Sequence, residues 1–66
     1  MDFKQLRAFR TVADTGNVSR SAGLLTLVQP AVSRQLRLLE EDLGTDLFDR
    51  ERPGMVINEH GKALLV

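Results

Sequence analysis

The stretch "VQPAVSRQLRLLEEDLG", Val28 to Gly44, constrains the fold of this chain more than any other. Val32, Leu36, Leu39 and Leu43 recur every three or four residues. At about 100° per residue they form one apolar stripe on a helix. Pro30 suits a first helical turn, where its missing N–H would be unpaired anyway. Gly44 suits the position just past a last turn. The stretch therefore predicts a helix from about Gln29 to Leu43. On the same wheel Pro30, Ser33, Arg34 and Arg37 gather on the far, polar side. The front end is awkward. A Ser, Thr, Asp or Asn is expected as the cap, and the chain offers Val28 and Gln29 there; Thr26 is the other candidate acceptor.

An apolar stripe needs other elements to cover it. Asp2 is placed to cap a first helix that runs to Thr15, with Phe3, Leu6, Phe9 and Ala13 sharing a face. Gly16, in "TGN", ends it. Ser19 is a good cap for a second helix through about Leu25, with Val18, Ala22 and Leu25 on one side. Gly23 inside that helix weakens it by roughly 0.5–1 kcal/mol relative to Ala. "TLV" is a tight connection to the third helix. Pro53-Gly54 is a turn signal, and the flanking pieces Phe48–Arg52 and Met55–Ile57 suit strands. They predict a small hairpin with Arg52 near its tip. Asn58 can cap a fourth helix, "EHGKALLV", which reaches Val66 with no stop signal, as expected for part of a longer protein. The predicted organisation is one unit over 1–57 and the start of a further helix over 58–66.

Size limits what such a unit can do. A domain of 66 residues buries only about 60% of its unfolded surface. There is no Cys to add a disulfide, which fits a reducing compartment, and His60 is the only histidine, so a structural zinc site is not expected. Pairing with a second chain is the expected source of extra stability. No apolar run approaches the ~18 residues needed to span a membrane. The start "MDFKQLRAF" is no secretory signal, so a cytoplasmic protein is expected. Catalytic signals are poor: there is no Gly-rich phosphate loop, no HExxH and no GxSxG. Glu40, Glu41 and Asp42 are adjacent carboxylates at a helix end, an ordinary solvated arrangement. No enzyme is expected.

Net charge is zero, with nine basic and nine acidic residues, but the signs are segregated. From Val18 to Leu39 the charged residues are Arg20, Arg34 and Arg37. From Glu40 to Asp49 they are Glu40, Glu41, Asp42, Asp46 and Asp49. Arg50 and Arg52 follow. Local sign matters more than the total for a binding face.

Three short helices, a tight turn between the second and third, and a following hairpin describe a mainly α winged helix-turn-helix. The third helix of such a unit has the diameter to enter the major groove of B-DNA, with the second helix crossing the backbone. Gln29 can donate and accept toward adenine, and Arg34 can do so toward guanine O6/N7. Ser33 is small and versatile, and Pro30 and Ala31 can press on a thymine methyl. Arg20 and Arg37 are better placed for phosphates, together with backbone N–H groups of the second helix. Arg52 would reach an adjacent, narrow A·T minor groove. Plainer readings stand beside these. Arginines on a polar face are ordinarily just solvated. Arg50 serves equally well as a partner for the acidic block or for a phosphate. Gln29 and Ser33 also suit a helix end. A protein-interaction module is the alternative function, with the zero net charge on its side.

The segments "LRAFRTVADTGNVSRSAGLL", "QPAVSRQLRLLEEDLGTDLFDR" and "INEHGKALL" resemble the N-terminal DNA-binding domain of LysR-type transcriptional regulators over essentially the whole chain. The resemblance implies a bacterial regulator that reads imperfect inverted repeats near promoters. By position it implies Gln29, Pro30, Ser33 and Arg34 as the base-reading set. It implies Arg52 and Pro53 as the wing, while Ser19, Arg20, Arg37 and Arg50 are the DNA-backbone candidates on the reading of the residues themselves. It also implies a linker helix from Asn58 that pairs two chains, with tetramers common, and a small-molecule co-inducer bound by a C-terminal domain absent here. This chain departs from the family pattern at several places. Val28 stands where Ser, Thr or Ala is usual, Val18 where an aromatic is common, and Asn58 where Thr is usual. Gly23 and Leu24 replace polar, charged or good helix-forming residues.

Overall fold

The computed structural model describes residues 1–49, 51 and 53–65. Arg50, Arg52 and Val66 lie outside the described residues. Four helices follow in order: α1 (Phe3–Thr15), α2 (Val18–Leu25), α3 (Gln29–Leu43) and α4 (Glu59–Leu65). The first three pack on one another around a core of Ala8, Phe9, Val12, Ala22, Val32, Leu36, Leu39, Leu47 and Phe48. Phe9 and Phe48 meet edge to face, with ring centroids 5.7 Å apart, a favoured aromatic geometry.

α1 starts with a reciprocal cap. Asp2 accepts from the Gln5 N–H at 2.9 Å, and the Gln5 side chain accepts from the Asp2 N–H at 3.3 Å, which satisfies two end donors. Its buried residues are Gln5, Ala8, Phe9 and Val12, not the full stripe predicted. Phe3 is 77% exposed. It lies about 120° from Phe9 on the helical wheel, away from the side that α2 and α3 cover. Leu6 packs against the edge of the core, as does Leu64 of α4.

α2 begins two residues earlier than predicted. Its cap is Asn17, whose side chain accepts from the Arg20 N–H at 3.0 Å; Ser19 is an exposed residue of the first turn. Ser21, which is fully buried, fastens the α1–α2 corner through the Thr15 hydroxyl at 2.6 Å and the Asn17 carbonyl at 2.8 Å. α2 closes at Thr26 in the left-handed region, φ 57°. The Leu27 N–H then reaches back to the Ala22 carbonyl at 2.9 Å, a helix-closing pattern. This compact closure makes the tight turn into α3.

α3 has the predicted bounds, with Val28 in the cap position, and no side chain caps it. Neither Thr26 nor Gln29 does so. The backbone resolves the awkward start: the Val28 carbonyl accepts from both Ala31, at 3.0 Å, and Val32, at 3.3 Å. Pro30 brings no donor. Of the first-turn residues Gln29 to Ala31, only Gln29 then retains an N–H outside this pairing. Val32, Leu36 and Leu39 are buried as predicted, but Leu43 is 38% exposed. Glu40 is buried in its place, because the chain beyond Gly44 folds back along the Glu40 side of α3. Thr45 donates to the Glu40 carbonyl at 3.2 Å, and Leu47 donates to its carboxylate at 2.8 Å.

The predicted hairpin is reduced among the described residues to a single antiparallel bridge, Phe48 to Ile57. The Asp49 N–H also donates to the Val56 carbonyl at 2.6 Å. The base of this wing is tied to the α1–α2 corner by the Met55 N–H on the Gly16 carbonyl at 3.3 Å. Asn58 caps α4 as predicted, accepting from the Gly61 N–H at 2.9 Å.

Candidate nucleic-acid interface

The exposed side of α3 follows from its buried side. Val32, Leu36 and Leu39 fix the helix on α1 and α2. A helix has one pitch, so residues opposite that stripe must face out. Gln29, Pro30, Ser33, Arg34 and Arg37 are all exposed, and they form a continuous strip over the first and middle turns. The structure brings together most of the residues singled out from the sequence.

Two shallow depressions flank the strip. The one toward α2 is lined by Ser19, Ala22 and Gly23 on one wall and by Leu27, Val28, Gln29, Pro30 and Ser33 on the other. Ser19 thus belongs to the same opening as the base-reading candidates, although it is not the α2 cap. The depression toward the wing is lined by Val18, Ser33, Leu36, Arg37, Glu40 and Met55. Ser33 lines both, so it stands on the ridge between them. Arg37 sits between α3 and the base of the wing, apart from Gln29 and Pro30. Arg20 is exposed on α2; its N–H is already taken by Asn17. Pro53 is exposed at the wing turn. Arg50 and Arg52 fall outside the described residues.

The strip is electropositive at its centre and acidic at its end. Arg34 and Arg37 precede Glu41 and Asp42, and Asp42 pairs with the Met1 ammonium. No buried side-chain polar atom among the described residues lacks a partner, so the polar groups of the scaffold are committed internally. Among the described residues no cluster of three His, Cys, Asp or Glu is placed to hold a metal ion. No helix among them is long and apolar enough to cross a membrane.

Sequence reasoning missed three residues that shape this face. Asn17, not Ser19, starts α2, and the signal was present in "TGN", since Asn is among the strongest caps. Val28 lies open on the α2 side of the strip. Glu40 turns inward, which no charge pattern announces.

Such an arrangement, with a second helix bracing an outward-facing third helix across a tight turn, defines a helix-turn-helix protein. Residues 3–62 match the family described as bacterial regulatory helix-turn-helix protein, lysR family. The chain belongs to this family. It is 45% identical over 65 residues to the transcriptional regulator SoxR of Arthrobacter sp. (strain TE1826), covering 98% of this chain and 22% of that protein. It is 42% identical over 65 residues to the regulator ClcR of Pseudomonas putida, with the same coverage of 98% and 22%. Its fold matches the crystal structure of the CbnR DNA-binding domain–DNA complex with a TM-score of 0.91 and 40% identity, covering 98% of this chain and 75% of that one. It matches Vibrio fischeri DarR in complex with DNA with a TM-score of 0.90 and 36% identity, covering 97% of this chain and 22% of that one. The chain spans about a fifth of the length of the regulators it matches, 22% for both SoxR and ClcR.

Proposed function

We propose that this chain is the sequence-specific, double-stranded-DNA-binding part of a bacterial transcriptional regulator, with α3 in the major groove. The observation that carries the reading is the strip of Gln29, Pro30, Ser33 and Arg34, exposed together on a helix whose other side is locked into the core. In this reading Arg34 binds guanine O6/N7 and Gln29 an adenine edge. Ser33, on the ridge, takes either partner, and Pro30 packs on a thymine methyl. Ser19, Arg20, Arg37 and Arg50 bind phosphates and set the register. The N–H of Arg20 is occupied, so α2 offers phosphate the N–H groups of Val18 and Ser19 instead. Arg52 and Pro53 work at the adjacent minor groove.

The DNA complexes of CbnR and DarR support this reading. In the same reading α4 is the start of a linker helix that pairs two chains, as a homodimer or within a tetramer. A co-inducer would belong to a further domain, the protein acts in the bacterial cytoplasm, and the chain has no catalytic role. The protein-interaction alternative has no structural observation in its favour.

Selection of bound sites from a random duplex pool tests the proposal. Enrichment of an inverted repeat, with affinity falling steeply as salt rises, is the expected result. A pool that stays random, or binding indifferent to salt, overturns it.

A further inference from the structure

Val28 is unexplained by the roles assigned so far. It is 69% exposed, so it adds little to the core. It occupies the cap position of α3 without a side-chain hydrogen bond, a position where Val ranks among the poorest residues. Only its carbonyl serves the helix. Its side chain nevertheless lines the same depression as Gln29, Pro30 and Ser33. The facing wall is open: a Cβ added to Gly23 would meet nothing within 4 Å. An apolar group is thus held beside the base-reading strip, with room in front of it.

The major groove presents one apolar group, the C5-methyl of thymine. A β-branched side chain is suited to meet it, because its χ1 is already restricted. We propose that Val28 is a specificity-determining residue that reads a thymine C5-methyl at the edge of the site, next to the base contacted by Gln29. The proposal rests on the DNA-reading function above and adds a contact made by a side chain that cannot form a hydrogen bond.

The test uses the best duplex recovered from the random pool. Each thymine is replaced in turn by deoxyuridine, which removes only the methyl group. Affinities are measured for the unaltered chain, Val28→Ala and Val28→Ser, after melting curves show that both variants fold. At one thymine, uracil should weaken binding by the unaltered chain about fourfold, the equivalent of one buried methyl. The same replacement should leave both variants unaffected, while penalties at thymines touched by Pro30 persist in all three proteins. An identical response of all three proteins at every thymine overturns the proposal. So does a loss in the variants that is equal on every duplex, since that describes a backbone contact. A pool with no enrichment overturns the DNA-reading function itself, a result distinct from an enriched duplex that ignores Val28.

Discussion

The buried carboxylate of Glu40 accepts a hydrogen bond from the Leu47 N–H at 2.8 Å, joining the last turns of α3 to the segment that leads into the wing. The Leu47 carbonyl in turn accepts from the Asn58 N–H at 3.0 Å, where α4 begins. Glu40→Ala leaves the Leu47 N–H buried without that acceptor. Stability should fall by about 1–3 kcal/mol, read from urea unfolding, with Glu40→Gln losing less because its amide oxygen still accepts. A loss no larger than that of an exposed substitution would show that the contact is not formed in solution.

Gly61 makes the other close contact at this junction. It is buried, and a Cβ there would lie 2.4 Å from the Leu47 carbonyl oxygen and 3.0 Å from the Ile57 Cβ. In an open helix Gly→Ala stabilises by about 1 kcal/mol. Here Gly61→Ala should destabilise by about 1–3 kcal/mol, because backbone must move to admit the methyl. Melting temperatures of the two proteins check the sign, and a stabilised variant would contradict the packing of α4 on Leu47.

Thr26 holds a left-handed conformation, φ 57°, that a β-branched residue adopts at a cost. It is the only non-glycine residue with positive φ among the described residues. Thr26→Gly should stabilise the domain by about 0.5–1 kcal/mol through relief at the helix-turn-helix corner. Calorimetry of the variant checks it; a lower melting temperature would mean that the α2–α3 turn differs from the one described.

The start of α2 separates two candidate caps. Asn17→Ala should cost about 0.5–2 kcal/mol, since it removes the acceptor of the Arg20 N–H. Ser19→Ala, at an exposed position of the first turn, should stay within about 0.5 kcal/mol of the parent. Chemical denaturation of both variants distinguishes them, and the reverse order would restore Ser19 as the cap.

The parts of this fold that were legible in the sequence are those that repeat. The stripe Val32, Leu36, Leu39 fixed α3, and the spacing that buried it also exposed Gln29, Pro30, Ser33 and Arg34, so most of the candidate site could be read in advance. Features made by single contacts could not. Phe3 looks like core, yet among the described residues it sits on an uncovered side of α1. Leu43 keeps the stripe's period and is still half exposed, because the returning chain packs on the Glu40 side. A buried carboxylate that accepts from a backbone N–H leaves no periodic trace. The capping of α3 by the Val28 carbonyl leaves none either, since it depends on backbone angles and not on residue type.

Arg34 bears most directly on the central claim, that the exposed strip of α3 reads base edges. The measurement is a mobility-shift titration of Arg34→Ala and the parent chain on a selected duplex and on a random one, at one salt concentration. A base-reading arginine predicts a loss of about 1–3 kcal/mol on the selected duplex, relaxed base choice at one position, and a much smaller loss on the random duplex. Equal losses on both duplexes would contradict the claim and leave Arg34 as a phosphate contact.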